Sequence, residues 1–400
     1  MIKYWIWLSL CLDIGSTHMV PLLNTFGTPK DVYKTPINTL KDSFLLNANE
    51  LKRLNNKNLD KVFKIIDECN QSKINIIPFD SDKYPIDLRK ISNPPACIYI
   101  KGNLQDLNRL PIICMVGSRK ISEYGKLVAW SLSGRLTCGG MTVLSGGAVG
   151  GDAAAHQGAL AVGGKTIAVI PCGLNYDYLK TNDFLRKLIT DNGCLISEFP
   201  PQAPLYKNAF QLRNRLLSAL SLGVIVVEAP AKSGTLITVR HALEQGKDVF
   251  VVTGRPDDPN YAGSNLLLKD GAKPVFEADD VFLEYINQFP NIIDPKKAKS
   301  VNLSKLYRSL YTPKINMEEP YLSENIVVDT IKEKKSRKEI DKTLPKSVQI
   351  VYNCIDNDVF CVDDIANCGV SFEEILSSLT QLEIYGYIKA IPGGRYTIIY

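Results

Sequence analysis

Short, mostly apolar runs alternate with amphipathic stretches through the middle of the chain. Each run has four to six residues, which is the length of a strand rather than a helix. The runs occupy residues 112–116, 141–144, 166–170, 194–197, 223–228 and 248–252. Continuous apolar strands between helical patterns are typical of a mostly parallel sheet covered on both faces. The pattern predicts a Rossmann-like, doubly wound α/β domain over residues 73–287.

The regions that precede this α/β pattern predict two different structures. Residues 73–110 read as short strands and turns that lead into the domain, with Tyr99 in an edge strand. Residues 1–72 carry the spaced apolar positions of helices and predict a small helical domain of the SAM or helix-hairpin-helix kind. The apolar run that opens the chain ends at Asp13, too short to span a bilayer, and predicts an amphipathic helix. Contact with a DNA backbone and simple packing both remain open for this domain.

The last part of the chain predicts a linker and a second small domain. Residues 288–345 are basic, polar and poorly periodic, as in a flexible tether. Residues 346–400 read as three helices and a hairpin, the order of a winged helix. The third helix opens with a capping box at Ser371 and carries Glu373, Glu374 and Glu383 without a basic residue. That charge disfavours major-groove binding and favours a protein-contact or structural role.

Composition narrows the chemistry only slightly. The 400 residues have a formal net charge of +5, which is compatible with nucleic acid but not diagnostic of it. Ten cysteines contain no CxxC pair, and the three histidines lack zinc spacing, so we predict no metal and no cofactor. Scattered thiols indicate a reducing cytoplasm, and no stretch is long enough to span a membrane.

Two small-residue loops stand out between residues 112 and 152. The first, Gly117-Ser118-Arg119-Lys120, follows the strand at 112–116, and the second covers residues 145–151. Each loop joins a buried strand to a helix, so backbone N–H groups and the positive end of a helix dipole are expected to face one ligand. Arg119 adds a planar cationic fork suited to phosphate. These features predict a ligand that contains phosphate.

Motifs across the whole α/β region resemble those of the bacterial DNA-processing protein family DprA, also called Smf. The matching stretches, in order, are residues 116–119, 145–156, 172–175, 178–182, 197–200, 210–215, 227–229, 233–238 and 244–246. The resemblance implies a homodimer that binds single-stranded DNA and loads the recombinase RecA during natural transformation, without catalysis. It also implies that Arg119 and Lys180 line the DNA pocket. Val149, Gly151, Leu179 and Gln211 depart from the family pattern, so the fine shape and charge of the pocket are expected to differ from those of the family.

A binder of single strands needs cations along the backbone and aromatic faces for the bases. The predicted DNA-binding residues are Gly117, Ser118, Arg119, Lys120, Gly146, Gly147, Gly150, Lys180, Asn182, Phe210, Arg213, Asn214, Arg215, Ser233, Gly234 and Thr235. A structural role stays open for some of these side chains. Buried salt bridges with Glu198 or Glu228 would also account for Arg213 and Arg215, and packing is the default for Phe210 and Tyr178.

Three other functions are weaker fits. A nucleotide or phosphoribosyl hydrolase of the lonely-guy or lysine-decarboxylase-like type shares the Gly234-Thr235 helix start. In this chain Thr238 stands where the catalytic glutamate of such an enzyme would be, so the acid/base role has no occupant. A dehydrogenase would need a clean GxGxxG, which neither loop provides. A duplex-specific regulator would need basic residues on the third helix of the C-terminal domain.

Overall fold

The chain folds into two units, Met1–Lys314 and Ile315–Tyr400. The computed structural model describes residues 1–103, 106–178, 182–301, 303, 306, 340–341, 343–355, 359–365, 368–391 and 395–399. No helix among these residues is long and apolar enough to cross a membrane.

A single mixed sheet forms the centre of the first unit. Its strands are Ile74–Pro78 (β1), Cys97–Gly102 (β2), Ile112–Val116 (β3), Thr142–Ser145 (β4), Thr166–Val169 (β5), Cys194–Ser197 (β6), Gly223–Val226 (β7), Asp248–Val252 (β8) and Lys273–Val275 (β9). They lie in the order β1-β2-β6-β5-β4-β3-β7-β8-β9. From β6 to β9 all neighbours are parallel, and β3 is in register with both sides, since Cys114 pairs with Leu144 and with Val224. The predicted mostly parallel, Rossmann-like sheet is confirmed.

Helices cover both faces of this sheet. Those of the first unit are Ile2–Cys11 (α1), Met19–Phe26 (α2), Pro29–Lys34 (α3), Ile37–Asp42 (α4), Ala48–Asn55 (α5), Asp60–Gln71 (α6), Ile86–Arg89 (α7), Glu123–Cys138 (α8), Gly151–Ala161 (α9), Asp183–Asn192 (α10), Ala209–Ala219 (α11), Thr235–Glu244 (α12), Ala262–Lys269 (α13), Asp279–Tyr285 (α14) and Pro295–Ser300 (α15). Successive side chains of β3 point to opposite faces, so Cys114 packs with α11 and α12 while Met115 packs with α8 and α9. Both faces are therefore buried.

The N-terminal helices pack into one core with the β1–β2 side of the sheet. α1 is a helix as predicted, but it is not amphipathic: Trp5, Ile6, Trp7 and Leu8 are consecutive and all buried. Four successive residues cover every side of a helix, so the middle of α1 is enclosed by its neighbours. Glu50, also buried, accepts hydrogen bonds from the backbone of Asp13 and from Ser16, which ties α5 to the segment after α1.

Two sequence predictions about the borders of the α/β region were wrong. β2, which contains Tyr99, is not an edge strand, because β1 pairs with its outer side and β6 with its inner side. The predicted linker does not start at residue 288 either. Ile293, Ala298 and Leu303 are buried against α8 and α14, and Arg135 donates to the carbonyl of Ala298. The apolar residues between the lysines, rather than the lysines, decide how this segment packs.

The second unit has its own small core. Its described elements are Lys346–Asn353 (α16), Val359–Cys361 (β10), a 3-10 turn at Val362–Ile365, Phe372–Ile384 (α17), Ile388–Ile391 (β11) and Arg395–Ile398 (β12). The strands form an antiparallel sheet in the order β10-β12-β11. The capping box at Ser371 is present, with Glu374 as its partner. The middle helix predicted near residue 362 is a 3-10 turn, and the winged-helix assignment stays a prediction.

Buried His156 makes the stability of the first unit depend on pH. Its Nδ1 lies 2.8 Å from Thr166 Oγ1, and that hydroxyl donates to the carbonyl of Val143, so Nδ1 must donate the proton. Burial lowers the pKa of His156 to about 3. In the unfolded chain an imidazole titrates near 6.5, so between these values the unfolded state binds a proton that the native state does not. Stability is therefore lost as the pH falls through this window.

We expect the free energy of unfolding at pH 4.5 to be lower than at pH 7.5 by about 3 kcal/mol from this residue alone. Urea unfolding at the two pH values measures the difference, which also contains contributions from carboxylates. His156→Gln removes the titrating group, so the pH-dependent loss should shrink by that amount even if the variant is less stable overall. An equal loss in variant and wild type would contradict the assignment.

Candidate functional site

A crevice opens at the point in the sheet where the chain changes the side on which it adds strands. From β3 the chain adds β4, β5 and β6 on one side, and β7, β8 and β9 then follow on the other. The loops after β3 and β7 therefore separate at the carboxyl ends of adjacent strands, where ligands bind in open α/β sheets. The cavity there has a volume of about 420 Å³. Its walls are formed by Val116, Gly117, Ser118, Arg119, Ala148, Asp152, Phe210, Arg213, Asn214, Leu217, Pro230, Lys232, Ser233, Gly234, Thr235 and Thr238.

The loop after β3 is held in place by backbone contacts on both sides. Ser118 N donates to the carbonyl of Glu228 at 2.9 Å, and Ser118 O accepts from Gly151 N at 3.1 Å. Gly150 has φ +84°, and a Cβ there would lie 2.4 Å from Ser118 O. A Cβ on Gly151 would lie 2.8 Å from Gly117 Cα. These two glycines thus allow the two loops to touch.

Arg119 is the exposed cation of the first loop that lines the cavity. Its guanidinium carbon lies 4.4 Å from the centre of the Phe210 ring, within the range of a cation–π contact. Among the described residues no carboxylate forms an ion pair with it. Phe210 in turn meets Tyr178, with ring centres 6.0 Å apart. Within the described part of the chain, Arg119 is therefore a charge without an ion-pair partner, held on an aromatic support at the mouth of the cavity.

Arg213 lies at the bottom of the cavity and is buried. Its Nη1 donates to the carbonyls of Gly146, at 2.7 Å, and Val169, and its Nε donates to Asn214 Oδ1. Asp152 Oδ2 accepts from Ala148 N at 3.3 Å. Burial lowers the pKa of Arg213 and raises the pKa of Asp152, and each charge opposes the shift of the other. Arg213 is therefore a structural cation balanced by Asp152, paired with neither Glu198 nor Glu228.

Arg215 does not reach the cavity. Its Nη2 lies 2.7 and 2.8 Å from the two oxygens of Glu198, and the side chain is only 2% exposed. The prediction of a DNA contact for Arg215 is wrong, and the alternative of a salt bridge with Glu198 is confirmed. Side chains two positions apart on an α-helix differ by about 200° in direction. Arg213 and Arg215 therefore point to different sides of α11.

The loop after β7 supplies the opposite wall and the start of α12. Ser233, Gly234 and Thr235 lie where the first N–H groups of a ten-residue helix and the positive end of its dipole favour an anion. Lys232 is exposed on the same wall. The sequence reasoning missed Lys232, although its position beside the Ser-Gly-Thr helix start was a usable signal.

The other predicted residues that the structure describes, apart from Arg215, lie around this cavity rather than in its wall. Asn182 donates to the carbonyl of Gly147 at 3.3 Å, which links α10 to the second glycine loop. Lys120 is exposed next to Arg119, and Gly146 and Gly150 hold the loop contacts described above. Lys180 lies outside the described residues. Tyr178 is buried, and burial raises the pKa of its hydroxyl, so packing is its main role.

Glu228 is a further residue that the sequence reasoning did not assign to the site. It is fully buried, and its carboxylate accepts from Ser122 N at 3.0 Å and from Ser122 Oγ at 2.5 Å. Ser122 Oγ in turn caps α8 by accepting from Gly125 N. Glu228 therefore fixes the far end of the loop that carries Arg119, while its carbonyl fixes the near end.

Thr238 bears on the hydrolase alternative. It lines the cavity and is 1% exposed, at the position where that class of enzyme has its glutamate. The carboxylate that does line the cavity is Asp152, which is engaged by Ala148 N and balanced by Arg213. The wall therefore offers no free carboxylate for acid/base work among its lining residues.

Comparisons with known proteins agree with one another. The family described as DNA recombination-mediator protein A matches residues 75–286, over half of the chain. The DNA processing protein DprA of Bacillus subtilis is 38% identical over 224 residues, 56% of this chain and 75% of that protein. Protein Smf of Escherichia coli is 34% identical over 331 residues, 81% of this chain and 77% of that protein. The X-ray structure of DprA from Streptococcus pneumoniae has a TM-score of 0.63 at 32% identity, covering 70% of this chain and 97% of its own.

Proposed function

The chain belongs to the DNA recombination-mediator protein A family, and from that premise we propose that it binds single-stranded DNA at the crevice between β3 and β7. The bound strand is protected and handed to the recombinase RecA during natural transformation. The protein acts as a cytoplasmic homodimer and carries out no catalysis itself. The C-terminal unit is a winged helix whose acidic α17 contacts protein rather than DNA.

The observation that carries this proposal is the pairing of Arg119 with Phe210 at the mouth of the cavity. Arginine offers its N–H groups to a phosphate and its flat face to a base, and the aromatic ring keeps that face in position. Lys232 and the start of α12 supply a second positive wall opposite it. Binding of this kind reads the backbone and the stacking face of a base, so it tolerates any sequence.

The proposal is tested by fluorescence anisotropy with labelled oligonucleotides, single-stranded against duplex, over a series of salt concentrations. We expect tighter binding to the single strand and a linear fall of log affinity with log salt, with a slope of about −0.7 for each phosphate contact. Equal affinity for duplex, or no binding by folded protein at low salt, would contradict the proposal. The second result would favour a mononucleotide ligand and hydrolysis, which the same protein can be assayed for.

A further inference from the structure

A second and larger concave surface lies next to the cavity, on the other side of α11. We call it the N-terminal groove; it has a volume of about 850 Å³ between the helices α1 and α6 and the segment from Glu198 to Leu212. α11 separates the two sites by the width of one helix, since Phe210 faces the cavity while Ala209 and Leu212 face the groove. The groove therefore lies one helix width from the proposed DNA site, with Phe210 between the two.

The walls of the groove combine aromatic and cationic side chains. Tyr206 is 54% exposed and stacks on buried Phe199, with ring centres 6.1 Å apart and planes 28° from parallel. This leaves one broad face of Tyr206 for a second ring. On the opposite wall, Lys61 and Lys64 are exposed on α6 and form no ion pair within the described part of the chain.

The acidic residues of the groove are mostly neutralised by the protein itself. Asp13 lies 2.5 Å from Arg53, and Glu198 lies 2.7 Å from buried Arg215. Among the acidic residues that line the groove, only Glu68 then remains without such a partner, and it lies one turn after Lys64 on α6, which leaves a surplus of one positive charge on that wall. The groove thus offers a surplus positive charge across from an aromatic platform, which is the pattern that a single nucleic-acid strand requires.

We propose that the N-terminal groove is a second subsite for the same single-stranded DNA. Nucleotides that leave the cavity over Phe210 enter the groove, stack on Tyr206 and place phosphates beside Lys61 and Lys64. The inference rests on the proposed function and assigns to the N-terminal helices a direct share in DNA binding. Its consequence is that affinity depends on strand length, because a short strand fills only the cavity.

The test compares two oligothymidylates, one of about 5 and one of about 20 nucleotides, since single-strand-binding folds cover roughly 4 to 16 nucleotides. Lys61→Ala/Lys64→Ala should lower affinity for the long strand about 10-fold and reduce its salt slope by about 1.4, two phosphates at about 0.7 each. Affinity for the short strand should not change. Lys41→Ala/Lys52→Ala is the matched control, because it removes the same charge from exposed sites on α4 and α5 outside the groove.

The aromatic wall is tested separately. Tyr206→Ala should lower long-strand affinity about 10-fold, and Tyr206→Phe should retain it, because stacking needs the ring and not the hydroxyl. Long-strand affinity that survives both the lysine and the Tyr206→Ala changes would overturn the subsite while leaving the cavity in place. A wild type that binds neither length would overturn the proposed function as well. Sedimentation of the variants without DNA tests whether the groove instead binds a second copy of the chain. A change in oligomeric state would show that it does, and the proposed subsite would be wrong.

Discussion

Arg119→Ala is expected to weaken binding of a single strand by about 2 kcal/mol, or roughly 30-fold, at moderate salt. The change removes a charge-assisted contact to phosphate together with the planar face that rests on Phe210. Because one phosphate contact disappears, the slope of log affinity against log salt should also fall by about 0.7. Anisotropy titrations over a salt series measure both quantities on the same samples.

Lys120→Ala is the matched control for this change. Lys120 is adjacent, exposed and of the same charge; the sequence placed it among the DNA-binding residues, but in the structure it does not line the cavity. Removal of Lys120 should lower the affinity for a single strand only slightly, through the loss of one positive charge near the site. Arg119→Lys should fall between wild type and Arg119→Ala, since it keeps the charge and loses the fork and the stacking face. Equal losses of affinity for Arg119→Ala and Lys120→Ala would show that Arg119 contributes only its net charge and makes no specific contact.

Arg213→Met is expected to destabilise the first unit by about 3–5 kcal/mol, because it leaves the Asp152 carboxylate buried without its balancing charge. The carbonyls of Gly146 and Val169 would also lose their donor. Asp152→Asn should cost stability for the converse reason. The double variant should lose clearly less than the sum of the two, since neither charge is then stranded. Denaturant unfolding of the four proteins gives the coupling energy directly.

Arg215→Met is the control for that cycle. Arg215 is also a buried arginine of α11, but its partner is Glu198 rather than Asp152. The losses in free energy of unfolding caused by Arg215→Met and Asp152→Asn should therefore be additive in the double variant, because the two residues share no partner. Additive costs for Arg213→Met and Asp152→Asn would show that the two charges do not balance each other.

The sequence predicted the central strands well because they are buried on both faces. Such strands leave unbroken apolar runs, so β3, β6 and β8 begin and end where the pattern does. α1 was identified as a helix but not as a buried one, since periodicity fails where every side of a helix is covered. The prediction that β2 is an edge strand was wrong because β1 covers its outer side. β1 and β2 are separated by 18 residues, so no local pattern indicates that they pair.

The sequence predicted which loops form the candidate site. It predicted less completely which side chains of these loops and of α11 line the cavity. Parallel strands bring their following loops to one edge, so the loops after β3 and β7 had to be neighbours or nearly so. Which arginine of α11 faces that edge depends on how the helix is rotated against the sheet. Composition carries no information on that rotation, and Arg213 and Arg215 looked equivalent until the packing was known.

The attachment of the Arg119 loop at both ends has a kinetic consequence. Glu228 holds Ser118 through its carbonyl and Ser122 through its carboxylate, so the intervening residues are fixed before a strand arrives. Few backbone angles remain to be ordered on binding, and encounter need not wait for a slow rearrangement. Strands of different sequence should then arrive at similar rates and differ mainly in residence time. Under the proposed function, release of the strand is then the step that a recipient can control.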